Sequence, residues 1–373
     1  MKEVNIIIVT SAWPPQTHGL AEVAYQHAIG LHQLGYNLKV ITRQNEVDDM
    51  SFEVIKIKNK IEYQAILQKI EADVIFFHGW HHWVTDWVKD CLPLNLKSVL
   101  VSHGTHFNIR FEGRRGWFWW LRKRPVAWRF ASRMKRFDHY VFLSDFAEKQ
   151  RMSDLRWVLC HQKSNYTIIP NGASLAFLPP PDFDFRKTFG INSSKILLCV
   201  SNFHYAKGQE ELIKWIAQMQ ISEVALVLIG SEENQYSARL RQIAAQYPTF
   251  SVHVLTRLDR NQIHAAYCAA DVFVSATYTE VQPLMLLDAM AVGLPFLCRA
   301  VGTVPTLRGG MCYDTPQEFQ QKLTLLLNEP TLKEQYAFEG RHAVAEYYNW
   351  PRVIEKYNKL IQKLLIDVTL LRS

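Results

Sequence analysis

The chain has 373 residues, 48% of them hydrophobic and 21% charged, with a formal net charge of +7. At roughly 150 residues per domain this is the length of two domains, each able to bury a core without metals or disulfides. Collagen, coiled coil and wholesale disorder are excluded. The six cysteines, at 91, 160, 199, 268, 298 and 312, form no CxxC pair. That argues against a zinc site or a disulfide framework and for buried thiols in a reducing, cytoplasmic setting.

The first element is the short run Val4–Val9, too short for a signal-peptide core and suited to a buried strand, so secretion is not expected. Similar runs recur with helical segments between them. VNIIIVT, NLKVIT, DVIFFH, SVLVSH and HYVFLS come first, then KILLCVS, VALVLIG, FSVHVL, DVFVSA and PFLCRA. Such alternation predicts two parallel sheets covered by helices. FLPPPDFDF, at 177–185, separates the two series and cannot continue a helix or a central strand. The expected domains are therefore 1–176 and 177–355. The amphipathic segment from Trp350 onward is expected to cross back, so that 356–373 packs on the first domain. Two such sheets would face each other across a cleft. The best candidate for a membrane span, 284–298, is interrupted by Asp288 and falls short of the ~18 apolar residues required.

The charge is concentrated. Residues 110–136 hold ten Lys and Arg against Glu112, leaving about −2 for the rest of the chain. Arg110, Arg114, Arg115 and Arg122 alternate there with Trp117, Trp119 and Trp120, a composition suited to a lipid headgroup boundary and an anionic membrane surface. A solvated surface helix pair is the alternative. Single-stranded RNA would also suit stacked aromatics and arginines, but no RNA-binding motif is present, so nucleic acid is not expected.

In open α/β sheets, ligands bind beyond the carboxyl ends of the strands. After the first strand, Gly19 opens a helix and could let a backbone amide approach an anion, although a turn requirement explains it equally well. His78 and His81 follow one strand and His103 another. They lack carboxylate or thiolate company at helical spacing, so pocket-lining or hydrogen-bonded roles are expected and a metal is not. In SNFHYAKGQEELI, Lys207 and Gly208 precede a helix; a lysine there opposes the macrodipole unless an anion lies between, which points to phosphate. Glu280 lies at a strand exit and Asp288 eight residues on, inside the following helix. Two acids at one helix start suit the vicinal hydroxyls of a ribose and a sugar. A dipole-favoured acid would explain Glu280 alone, but Asp288 on an apolar face is costly without a partner.

Together these segments resemble the large retaining glycosyltransferase family conventionally numbered four, the glycosyl transferases of group 1, with the GT-B fold. PPQTHGLAEVAYQHAIGLHQLGYNLKVIT is similar to its glycine-loop segment, IPNGAS to its interdomain turn and SNFHYAKG to its phosphate loop. AYCAADVFVSATYTEVQPLMLLDAMAVGLPFL resembles its donor signature. The resemblance implies a nucleotide-sugar donor, with UDP as the expected carrier, and no metal or other cofactor. Lys207 would bind the diphosphate, Glu280 the transferred sugar and Asp288 the ribose, with backbone amides around Gln282 and Leu284 close by. His103 would sit beside the reacting carbon, and His103, Glu280 and Lys207 form the expected catalytic set. Gly19, Asn202, Gly208, Gly230 and Arg257 complete the expected donor site. Asn202 stands where the family usually has an arginine, unless Arg257 or Arg299 substitutes; Asp288 replaces a glutamate, and Thr306 stands where a glutamate often follows.

The implied reaction is transfer with retention of configuration, in which the departing phosphate oxygen helps deprotonate the acceptor hydroxyl. The first domain receives the acceptor in this family. The basic segment, with His78 and His81, therefore suggests a glycan or glycolipid acceptor of envelope or polysaccharide biosynthesis, and peripheral attachment to the cytoplasmic face of a membrane. The alternatives are a non-catalytic GT-B-like protein that binds anionic lipid or RNA, and a nucleotide-sugar epimerase, whose signature is not seen.

Overall fold

A computed structural model describes residues 4–16, 19–44, 50–80, 83–88, 91–93, 96–104, 118, 121, 137–145, 165–176 and 178–370. The chain divides into two compact units: Met1–Asn171 with Trp350–Ser373, and Gly172–Asn349.

The first unit is built on strands β1 (Asn5–Thr10), β2 (Asn37–Thr42), β3 (Glu53–Lys56), β4 (Val74–His78), β5 (Lys97–Val101), β6 (His139–Phe142) and β7 (Tyr166–Ile168). They form one parallel sheet in the order β3-β2-β1-β4-β5-β6-β7. Ile6, Ile7, Ile8, Phe76 and Phe77 have essentially no exposure, as expected where helices cover both faces. Helix α1 (Gly19–Gln33) follows β1 and α2 (Lys60–Lys69) follows β3. The start of α2 is fixed by Asn59, which accepts from the Glu62 amide, while Glu62 accepts from the Lys58 amide.

The second unit contains β8 (Lys195–Val200), β9 (Val224–Gly230), β10 (Ser251–Thr256), β11 (Val272–Ser275), β12 (Phe296–Arg299) and β13 (Gly310–Tyr313). Their order is β10-β9-β8-β11-β12-β13, again all parallel. Its longer helices are α3 (Gln209–Gln218), α4 (Gln235–Ala244), α5 (Arg260–Ala269), α6 (Leu284–Val292), α7 (Pro316–Asn328) and α8 (Pro330–Tyr347). The last helix, α9 (Trp350–Leu370), belongs to the first unit. Ile354 of α9 lies so close to α1 that a Cβ on Gly30 would come within 2.3 Å of it.

The division falls at Asn171/Gly172, ahead of the proline-rich stretch, because residues 173–175 are tied into the second unit. The Ala173 amide donates to Tyr348 O, and the amides of Ser174 and Leu175 donate to Asp288. Phe183 and Phe189 beyond them pack on that unit's core. Of the expected buried thiols, Cys199 and Cys298 are buried and Cys91 and Cys312 half-buried, but Cys268, on α5, is exposed. Cys160 lies outside the described residues. Among the described residues no helix is long and apolar enough to cross a membrane.

Candidate functional site

Each sheet has one place where the strand order reverses direction, and the loops leaving the two strands there part to opposite faces and open a crevice. In the second unit this is the boundary between β8 and β11. The loop after β8 makes a single turn, Tyr205–Lys207, capped by His204, whose ring nitrogen accepts from the Ala206 amide. It ends at Gly208, whose φ is +67°. A Cβ there would lie 2.3 Å from Ala276 O, so the glycine lets the loops after β8 and β11 touch.

The β11 loop is laced to that turn. The Tyr278 amide donates to Ala206 O at 2.9 Å, and Thr277 Oγ1 lies 3.3 Å from Ala206 O and 3.5 Å from Glu280 Oε1. From the other side, the Thr303 amide donates to Val281 O at 2.8 Å, and a Cβ on Gly302 would meet Glu280 O at 2.1 Å. Glu280 is thereby fixed from two directions, and its Oε1 accepts from the Lys207 ammonium. The two side chains keep 15% and 23% exposure, so the pair is open to a ligand on one side. Gln282 is buried next to Pro283, where α6 begins. The first amides of α6 to bond within the helix are those of Leu286 and Leu287, to Pro283 O, which leaves those of Leu284 and Met285 at its positive end.

The remaining donor-site expectations fare differently. Asp288 is half-buried on α6, and its Oδ1 accepts from the amides of Ser174 and Leu175 at 2.6 and 2.9 Å. Its carboxylate thus anchors the start of the unit. Asn202 bridges two strand exits: its Oδ1 accepts from Ser231 Oγ at 3.1 Å and its carbonyl from Gln209 Nε2 at 3.1 Å. Gly230 makes room for protein rather than for a ligand, since a Cβ on it would strike the Phe203 ring at 2.6 Å. Arg299 does not supply an uncompensated cation in place of the missing arginine. It pairs with Glu211 at 3.0 Å and lies over the Tyr278 ring, and Tyr278 OH also donates to Glu211. Arg257, exposed at the end of β10 with φ +57°, has no ion pair among the described residues.

In the first unit the order reverses between β1 and β4. Gly19, exposed, is the first residue of α1, which follows β1. His78 ends β4, and it corrects an expectation: it is wholly buried and presents nothing to an acceptor or a membrane. Its Nε2 lies 3.0 Å from His27 Nδ1 and its Nδ1 lies 3.0 Å from His103 Nε2. The contacts use opposite nitrogens of His78, so no single ion could take all three rings. Burial holds His27 down at about 3 and His103 at about 4, and it lowers His78 strongly as well, with the neighbouring imidazoles adding to the effect at His27 and His78. His27 was not singled out in the sequence, where it is one apolar-face position of a helix. His81, Arg110, Arg114, Arg115, Trp117, Trp119, Trp120 and Arg122 lie outside the described residues.

Residues 182–343 match the family model described as Glycosyl transferases group 1, and this region holds Lys207, Glu280 and Asp288. Glycogen synthase from Aeromonas hydrophila is 26% identical over 175 residues, 43% of this chain and 35% of that protein. The chain therefore spans about a third of that relative's length. Among solved structures, sucrose-phosphate synthase from Thermosynechococcus elongatus is similar with a TM-score of 0.79 at 18% identity, over 98% of this chain and 100% of that one. HepE from Anabaena, solved in complex with UDP-glucose, gives 0.76 at 13% identity over 97% and 100%. These likenesses show the GT-B fold, with two Rossmann-like parallel-sheet domains.

Proposed function

We propose that the protein is a glycosyltransferase that moves a sugar from a nucleoside diphosphate sugar to a hydroxyl of a glycan or lipid-linked acceptor. The observation that carries this reading is the contact of Lys207 with Glu280 at the reversal point of the second sheet, inside the region that matches glycosyl transferases of group 1. UDP as the carrier is supported by the fold shared with HepE, which binds UDP-glucose. Retention of configuration and independence of a metal are supported by the resemblance of the two-acid signature and the phosphate loop.

The chemistry follows from charge. As the glycosidic bond to the diphosphate breaks, negative charge grows on the leaving oxygen, and preorganised donors must meet it. Lys207 supplies a cation, and the Leu284 and Met285 amides at the start of α6 supply fixed dipoles. Before the donor arrives, Glu280 balances Lys207; a bound diphosphate takes over the ammonium and leaves the carboxylate to accept from sugar hydroxyls. Ribose binding by Asp288 remains part of the reading, because a carboxylate has about four acceptor sites. His103 is assigned to the transferred sugar.

The acceptor is proposed to be membrane-linked because of the basic aromatic segment at 110–136. Of its residues, Phe118 and Leu121 are described, and they are 60% and 43% exposed. Incubation with UDP-sugars tests the reading. Release of UDP that is abolished in Glu280→Ala supports it, and release equal in the variant contradicts it.

A non-catalytic nucleotide- or lipid-binding protein is the second reading. Asn202 favours it, since that position offers no cation and its Oδ1 and carbonyl accept from Ser231 and Gln209.

A further inference from the structure

Three imidazoles run in line through the first unit. His27 lies on the third turn of α1, His78 at the end of β4, and His103 just beyond β5. Each successive pair of facing nitrogens is 3.0 Å apart. His27 and His78 have no exposure, whereas His103 is half-buried and forms the outer end of the chain.

A neutral imidazole has one N–H and one lone pair. In a chain of neutral rings the protons must therefore all point the same way, outward from His27 to His103 or inward from His103 to His27. The inner end decides. His27 Nε2 is buried without a hydrogen-bond partner. Its ring lies against Tyr357 with centroids 3.9 Å apart and meets Phe76 at 4.9 Å. If the chain pointed inward, Nε2 would carry a proton with no acceptor. If it points outward, Nε2 is a bare lone pair. A buried N–H without an acceptor is the rarer of the two defects in folded proteins.

We propose that His27 and His78 are positioning residues that hold His103 in the tautomer protonated at Nδ1, with Nε2 accepting from His78, so that His103 offers a hydrogen-bond donor to a sugar oxygen rather than a base. The proposal rests on the assignment of His103 to the transferred sugar. It explains why two histidines are buried where apolar side chains would pack: they orient a third, as the buried partner of a catalytic histidine does elsewhere. Burial also keeps His27 and His103 neutral over the working pH range, with values of about 3 and about 4.

Long-range proton–nitrogen correlation spectra of the imidazoles in the intact protein, without donor, test the tautomer. The expected result is His103 with Nδ1 protonated and Nε2 bare; a proton on Nε2 would overturn the proposal. His78→Phe removes the donor that holds His103, and an imidazole left to itself prefers the proton on Nε2. The variant is expected to shift His103 to that form and to lower kcat/KM by roughly tenfold. His78→Asn, which keeps an N–H near the Nδ1 position, is expected to restore both and serves as the folding control. Unchanged tautomer and unchanged kcat/KM in His78→Phe would overturn the proposal. The spectra need no substrate, so a protein inactive with every nucleotide sugar would sink the proposed function while the tautomer was still decided.

Discussion

The Lys207 ammonium and the Glu280 carboxylate, 73 positions apart in sequence, are in direct hydrogen-bonded contact between the exits of β8 and β11. The contact balances the Lys207 charge within the protein, and in the proposed reaction a bound diphosphate would take over the ammonium. Lys207→Ala should slow release of the nucleoside diphosphate in single-turnover measurements by roughly a hundredfold, about 3 kcal/mol, the magnitude of one preorganised donor lost from developing charge. Glu280→Gln should act in two directions: free UDP binds more tightly, by about 1 kcal/mol, because the ammonium loses its competitor, while turnover falls. Unchanged rates in both variants would remove the pair from the reaction.

Asp288 allows an anchoring role to be separated from a ligand role. In Asp288→Ala the amides of Ser174 and Leu175 lose their acceptor, and stability should fall by about 2 kcal/mol in urea unfolding. Asp288→Asn keeps an oxygen in place and should stay within about 1 kcal/mol of the parent. If Asp288 also meets the ribose, Asn will weaken nucleotide binding without this loss of stability. Equal stability of the parent and Asp288→Ala would show that the anchor contributes nothing.

The histidine chain predicts how stability depends on pH. In the unfolded chain an imidazole protonates near 6.5, whereas burial keeps folded His103 neutral to about 4 and His27 to about 3. Between these limits the unfolded state binds more protons, so stability rises with pH. It is fully present above about 6.5 and lost as pH falls toward 4, by at most about 1.4 kcal/mol per pH unit for each imidazole. His27→Phe removes one such proton, so its urea midpoint should fall less steeply over this range. Parallel midpoints for parent and variant would contradict the assignment.

Attachment to a membrane is testable through charge. The protein should pellet with anionic vesicles and be released at high salt, since each cation near an anionic surface contributes about 1 kcal/mol that salt screens. Equal pelleting with neutral and anionic vesicles would reject the electrostatic contribution.

The interior of both sheets was legible in the sequence because strands buried on both faces read as continuous apolar runs. Nine such runs became β1, β2, β4, β5, β6, β8, β9, β11 and β12, and a tenth, FSVHVL, became β10, a six-residue edge strand of half-buried residues. The strands that escaped, β3, β7 and β13, are short and lie at sheet edges. Their partly exposed residues give no apolar run. In the loops Lys207 stands out because a lysine before a helix is unusual for its place, and the structure sets it against Glu280. Contacts made by the topology were not legible: nothing in the spacing of His27, His78 and His103 says that they touch. Nor does the sequence say why position 230 is a glycine; in the structure it admits the Phe203 ring.

The most direct measurement is thermal stabilisation of the protein by a panel of nucleotide sugars, without acceptor or added metal. One nucleotide sugar should raise the Tm, and the rise should disappear in Lys207→Ala and shrink to that given by UDP alone in Glu280→Ala. No stabilisation by any member of the panel, or stabilisation that survives both substitutions, would contradict a donor site between β8 and β11.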